Sequence, residues 1–116
     1  MAADFTVVLR GAFETSEDEL QTWATGSGAD YTVPASREFL VKNIRIMNDT
    51  DTDYYAYLKI GINAGTLHCL LPQRDIAARY GYAENCNVII RATEAIFGKA
   101  ENTGVNYIIT GLERDA

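Results

Sequence analysis

The residues of this 116-residue chain that are best suited to chemistry are three alternating aspartates and a single histidine. The aspartates form the run Asp49-Thr50-Asp51-Thr52-Asp53, and clustered carboxylates suit a hard cation such as calcium. EF-hand spacing fails, because the sixth position is Tyr54 where glycine is required, and the twelfth is Ile60 where glutamate is required. We therefore interpret the run as a solvated hairpin tip whose side chains stabilise the turn, and we predict no metal site.

His68 lies between Leu67 and Cys69 in a strand-like segment, with no serine or carboxylate beside it in the sequence. A general base needs a partner within hydrogen-bond reach, and a zinc ion needs further ligands. The serines form no nucleophile motif such as GxSxG, and the nine glycines form no phosphate-binding loop. The sequence thus predicts no catalytic residue, no cofactor and no enzymatic activity.

The two cysteines, Cys69 and Cys86, each lie within an apolar run. We interpret them as two small buried hydrophobic side chains, because unpaired cysteine is among the most buried residue types. Two cysteines do not make a disulfide framework, so a bridge between them stays an open alternative.

Tyrosines are the strongest candidates for an interaction site. Exposed aromatic rings stack on sugars or anchor protein interfaces. Strand alternation places Tyr55 and Tyr57 on the face opposite Leu58, and Tyr80 and Tyr82 flank a glycine in a predicted loop. We predict these four tyrosines as interface residues, with ordinary cross-strand pairing as the alternative.

Most of the chain alternates with the period of two that is typical of β-strands. Strands are predicted over 5–13, 31–33, 39–48, 54–62, 66–71, 87–93 and 105–113. Pro34 and Pro72 end two of them, because proline donates no ladder hydrogen bond. Lys42 breaks the alternation of 39–48, which indicates either a bulge or the exposed end of that strand. About seven or eight strands at even spacing predict an all-β antiparallel β-sandwich or jelly roll, with residues 1–116 as a single domain.

Irregular segments are predicted between these strands. Ser16 is expected to begin a short helical turn, Trp23 to pin that excursion to the core, and 25–28 to form a turn. Residues 98–104 are expected to form a polar loop, and 73–85 a connection without a clear assignment. We predict that the loops over 14–28 and 73–85 reach a neighbouring subunit, since loops carry function on rigid sandwiches.

Composition narrows the range of partners. The net charge is −6, whereas nucleic acid and anionic membranes require a basic surface, so neither is expected as a partner. No apolar segment approaches the roughly 20 residues of a membrane span. The start MAADFTVVLRGAF has no basic region and no cleavage site of a signal peptide, so synthesis in a cytoplasm is expected, with use of the protein where it assembles.

Three phrases of the sequence carry a resemblance to a known group of proteins. They are the corner Val33-Pro34-Ala35, the strand phrase Lys42-Asn43-Ile44-Arg45-Ile46-Met47-Asn48 and the closing phrase Tyr107-Ile108-Ile109-Thr110-Gly111-Leu112-Glu113. Over residues 30–113 the chain resembles small virion-associated β-sandwich proteins of tailed bacteriophages. The resemblance implies a capsid decoration (cement) protein, a jelly roll that sits as a trimer where capsomers meet.

The implied partner is the major capsid protein or another virion protein, and the implied location is the virion, after synthesis in the host cytoplasm. A tail or connector component is the second form of the role that the resemblance implies. No set of site residues can be carried over from such families to this chain. A carbohydrate-binding module that uses surface tyrosines, with calcium at the acidic tip, is the alternative from another class.

Overall fold

Ten β-strands and no helix make up the computed structural model, which describes residues 3–22 and 29–116. The strands are β1 Phe5–Ala12, β2 Asp18–Glu19, β3 Gln21–Thr22, β4 Ala29–Asp30, β5 Arg37–Asn48, β6 Tyr54–Gly61, β7 Leu67–Ile76, β8 Gly81–Ile90, β9 Ala95–Ala100 and β10 Val105–Asp115. None of the described segments forms a helix with the length and apolarity that crossing a bilayer requires.

The strands form two antiparallel sheets that pack face to face. One has six strands in the order β4-β3-β1-β10-β5-β8, and the other has four in the order β2-β9-β6-β7. The predicted antiparallel β-sandwich is therefore confirmed. Three of the strands in the described residues, β2, β3 and β4, have only two residues each. Six of the seven longer strands correspond to predicted ones, whereas β9 is not among the predicted strands.

The core lies between the two sheets and is filled by alternate side chains of the long strands. Fully buried members include Leu9, Phe39, Ile44, Leu58 and Ile109. Burying each such side chain contributes about 1.5–3 kcal/mol to stability. The outward-facing residues between them are partly or fully exposed, so period-two alternation alone specifies which face of each strand is inside.

Lys42 forms the predicted bulge. On the β5–β10 ladder Thr110 pairs with Asn43 and Gly111 pairs with Val41, which leaves Lys42 without an opposite residue. The extra residue shifts the alternation of β5 by one position. As a result, Val41 before it and Ile44 after it both face the core and are fully buried. The bulge therefore keeps both halves of a 12-residue strand facing the core.

Pro72 does not end its strand, contrary to the prediction. β7 runs on to Ile76, and its register against β6 shifts between Ala56 and Leu58. β7 is an edge strand, where a residue without an N–H is tolerated at a bulge. β8 likewise begins at Gly81, so the predicted connection over 73–85 is mostly strand, and its reach to a neighbouring subunit stays a prediction.

The predicted helical turn at Ser16 is also wrong. Asp18 and Glu19 instead pair with β9, and the N–H of buried Leu20 donates to the carbonyl of Ile96 at 2.8 Å. Leu20 is the one buried apolar side chain of this segment, and an extended segment that crosses between the sheets is enough to bury it. A helix would need a stripe of several apolar side chains to pack against the core. Residues 14–22 are thus held by their own chain, while Trp23 and the turn over 25–28 lie outside the described residues.

Two further boundaries differ from the sequence-based expectation. Residues 31–33 make a single isolated bridge, Thr32 to Ala95, although the N–H of Val33 also donates to the carbonyl of Glu94. The predicted polar loop over 98–104 begins later, because β9 continues to Ala100. Gly98 is buried in this strand, and the position has no room for a side chain, because a Cβ would lie 2.5 Å from a ring carbon of Phe13.

Candidate interaction surfaces

Tyr55 and Tyr57 lie on the outer face of the four-stranded sheet, as predicted from alternation. The ammonium of Lys59 lies 5.1 Å from the ring centroid of Tyr57, and that of Lys99 lies 5.8 Å from that of Tyr55. The Tyr57 hydroxyl donates to Glu17 Oε2 at 2.7 Å. Desolvation, followed by this hydrogen bond, raises the pKa of Tyr57 to about 12. Both rings are half-buried and held by neighbouring charges.

Tyr80 and Tyr82 lie on a different part of the molecule, so the structure does not bring the four tyrosines together. Tyr80 is 73% exposed in the turn after β7. Tyr82 lies within β8 instead of the predicted loop and packs against the core. The guanidinium of Arg74 lies 4.1 Å from the centroid of its ring. A hydrogen bond to Glu84, and then desolvation, raise the pKa of Tyr82. An interface role for the four tyrosines stays a prediction.

The aspartates of the acidic tip hold a neighbouring turn. Asp49 and Asp51 accept hydrogen bonds from the guanidinium of Arg79 at 3.1 and 2.7 Å, and Asp53 accepts from the N–H of Ala78 at 2.8 Å. Arg79 has a φ of 63°, a left-handed conformation that these bonds fix. No group of three His, Cys, Asp or Glu side chains suited to a metal ion occurs within residues 3–22 and 29–116.

His68 and the cysteines do not converge. His68 is exposed on β7, opposite Ile60. Cys69 pairs with Lys59 and is exposed, so the prediction that it is buried is wrong, because the edge strand turns this residue away from the core. Cys86 is half-buried on the other sheet, where burial raises the pKa of its thiol. Both are free thiols.

A buried polar cluster joins the ends of β5 and β10. Arg37 Nε donates to Glu113 Oε2 at 3.1 Å and Nη1 to Asp115 Oδ1 at 2.6 Å, while the Tyr31 hydroxyl donates to Glu113 Oε1 at 2.7 Å. Desolvation, and then this hydrogen bond, raise the pKa of Tyr31. The side chains of Arg37 and Glu113 are only 7% and 4% exposed. This cluster fastens the C-terminal strand to the start of β5, and sequence reasoning missed it.

Sequence reasoning also missed the outer face of the six-stranded sheet. Register aligns four rows of outward side chains across β1, β10, β5 and β8, from the row of Thr6, Leu112, Leu40 and Ile89 to the row of Ala12, Asn106, Met47 and Gly81. The larger apolar members are Val8, Leu40, Met47, Ile89, Ile108 and Leu112. Alternation identifies each residue as outward-facing, but only strand pairing places them side by side.

Known proteins match this chain at the level of the fold. No family model matches the sequence, and no curated protein matches it. Among solved structures, a chain of the acidic stable capsid structure of Helicobacter pylori bacteriophage KHP30 is similar, with a TM-score of 0.56 and 11% sequence identity. The alignment covers 97% of this chain and 87% of that chain. The likeness is one of fold over nearly the whole described sandwich.

Proposed function

We propose that this chain is a structural virion protein of a bacteriophage, and specifically a capsid decoration (cement) protein that binds the coat lattice and stabilises it. The observation that carries the proposal is the alignment of 97% of this chain with a chain of a phage capsid structure. The sequence phrases that resemble virion-associated sandwich proteins support the same role independently of that alignment.

Strand order supports this proposal. Apart from β3 and β4, the sheets read β1-β10-β5-β8 and β2-β9-β6-β7, so that the first strand pairs with the last and the second with the last but one. This nested order is that of a jelly roll, an architecture found in viral capsid domains and in lectins. A stiff double sheet with broad outer faces suits a protein whose function is to cover and clamp a lattice.

The role that we propose needs no catalysis, and we propose that the chain is not an enzyme. His68, the residue that would act as a general base, is exposed on an edge strand, and no hydrogen bond among the described residues joins it to a nucleophile. A His68→Gln variant is expected to bind its partner as the wild type does, which provides a control for the binding assay.

Binding to capsids tests the proposal directly. Purified protein is mixed with capsids assembled from the coat protein of the same phage and sedimented, and tails are tested in parallel. We expect saturable co-sedimentation with capsids and a higher temperature of capsid disruption. Binding to tails alone would favour the tail or connector alternative. Absence from both particles, together with absence from purified virions by mass spectrometry, would contradict a virion role.

Carbohydrate binding is the second candidate, favoured by the jelly-roll order and by the half-exposed rings of Tyr55 and Tyr57 beside lysines. A glycan array with and without calcium tests it. Binders that are lost in a Tyr55→Ala variant would support this function, whereas an empty array in both conditions would remove it.

A further inference from the structure

The outer face of the six-stranded sheet differs in charge from the rest of the chain. Its four rows of side chains include Arg10 and Arg45, which lie on either side of Ile108, and contain no carboxylate. Exposed Lys42 adds a third cation from the bulge, where its ammonium donates to Asn87 Oδ1 at 3.2 Å. The whole chain carries 16 acidic and 10 basic residues, so this face is cationic on an acidic molecule.

This face also has the composition of an interface. Half-buried Leu40, Leu112 and Met47 and 48%-exposed Ile89 surround the cations. The four rows span about 14 Å across the strands and about 20 Å along them, from standard strand and residue spacings. Interface centres are depleted in Asp, Glu and Lys and enriched in aromatic residues, Met and Arg, and Met47, Arg10 and Arg45 match this composition.

A complementary surface lies on the same chain. Glu14, Glu17, Asp18, Glu19 and Asp30 form an acidic edge where the short strands β2, β3 and β4 border both sheets. Within the described residues one ion pair is recorded there, Glu17 with Lys59 at 3.4 Å, and the adjoining segment 23–28 contains no lysine or arginine. Burial raises the pKa of Glu19, and the neighbouring carboxylates of Asp30 and Asp18 raise it further.

We infer that the outer face of the six-stranded sheet binds the acidic edge of a second copy of this chain. The inference rests on the proposed function, under which many copies of a decoration protein lie near one another on the coat lattice. The two surfaces differ, so the contact is heterologous, and heterologous contacts generate rings when the rotation closes. Charge complementarity selects this pairing, because two copies that meet through the same cationic face would repel each other.

Paired charge reversals test the inference in the full chain. A face variant carries Lys42→Glu and Arg45→Glu, and an edge variant carries Glu14→Lys and Asp18→Lys. Matched controls reverse charges elsewhere on the surface, Arg91→Glu in the turn after β8 and Asp75→Lys on β7. Sedimentation velocity over a range of concentrations, at about 50 mM and about 300 mM salt, reports association, and circular dichroism checks that every variant is folded.

We expect the wild type and both controls to associate, more weakly at the higher salt. Each double variant should associate at least tenfold more weakly, and an equimolar mixture of the face and edge variants should regain association, because every contact between unlike copies then joins opposite charges. Folded variants that assemble like the wild type would overturn the inference. So would a wild type that stays monomeric, or a mixture that does not recover.

The outcomes for self-association and for capsid binding are separate. A wild type that stays monomeric in sedimentation velocity but co-sediments with capsids would refute the second-copy contact and leave the proposed function standing. A wild type that forms the charge-dependent oligomer but binds no virion particle would keep the contact and refute the function.

Discussion

Glu113 is the residue whose environment depends most on tertiary structure. It lies in the last strand, three residues from the end of the sequence, yet its carboxylate is buried between Arg37 and the hydroxyl of Tyr31. A buried carboxylate is tolerated only when its charge is paired and its oxygens accept hydrogen bonds. The two partners, Tyr31 and Arg37, are 82 and 76 residues away in the sequence, so only the tertiary fold brings the three side chains together.

Replacing Glu113 with glutamine should destabilise the protein by about 3 kcal/mol, because it leaves Arg37 without one of its charge partners in a buried site. Urea unfolding followed by circular dichroism measures this. The control is Glu38→Gln, whose carboxylate pairs with Arg114 at 2.8 Å nearer the surface, and which should cost no more than about 1 kcal/mol. Equal losses of unfolding free energy in the two variants would show that burial does not make the Glu113 pair more stabilising than the Glu38 pair.

At the scale of the element, the bulge in β5 decides how the six-stranded sheet fits the core. Because successive side chains in a strand point to opposite faces, the same twelve residues in a regular strand without the bulge would turn one half outward. Gly111 lies on β10 opposite Val41, beside the bulge. A Cβ at this position would collide with the carbonyl oxygen of Leu40 and with the ring of Phe39. The bulge and the glycine together form one structural feature.

Gly111→Ala should therefore destabilise the protein by about 3 kcal/mol, the upper range for overpacking against backbone. The matched control is Gly11→Ala on β1, where the nearest atom is the hydroxyl oxygen of Tyr107 at 3.2 Å and a side chain can move aside. We expect a loss of about 1 kcal/mol or less for the control. Thermal unfolding of both variants tests the difference, and a Gly111→Ala protein as stable as the control would contradict the account.

At the scale of the whole molecule, packing of the sandwich sets how tyrosines ionise. Burial, followed by a hydrogen bond to a glutamate, raises the pKa of Tyr31 and of Tyr57, the same two causes in reverse order raise the pKa of Tyr82, and burial raises the pKa of Tyr107, each from an ordinary value near 10. In the unfolded chain these phenols lose their protons as the pH passes 10, whereas in the folded protein they keep them to higher pH. The unfolded state therefore binds fewer protons above pH 10, and stability falls as the pH rises.

We expect the free energy of unfolding to change little with pH below 10 as far as these phenols are concerned, and then to decrease between pH 10 and about 12, the pKa of Tyr57. Urea titrations at successive pH values measure this decrease. A Tyr57→Phe variant should show a shallower decline, because one phenol no longer contributes. A decline of unchanged slope in the variant would show that Tyr57 ionises alike in the folded and unfolded chains.

The sequence by itself determined the class of fold and the facing of most strands. Alternation along 54–62 identifies inward Ala56 and Leu58 because a strand has only two faces. Along 39–48 the expectation that Leu40 shares a face with Ile44 and Ile46 is wrong, because the bulge at Lys42 places Leu40 on the outer face. The sequence also indicates that tyrosines 55 and 57 face outward, for the same reason.

The tertiary structure alone decided which strands are neighbours, and therefore everything that depends on more than one strand. Pro72 can stay within β7 because that strand is at an edge, a property of the sheet and not of the segment. Residues that are distant in sequence meet in the Arg37–Glu113 cluster and on the cationic outer face. The four tyrosines, by contrast, are separated into two pairs. Local patterns carry no information on these pairings, because a strand shows the same alternation of side chains whichever strand lies beside it.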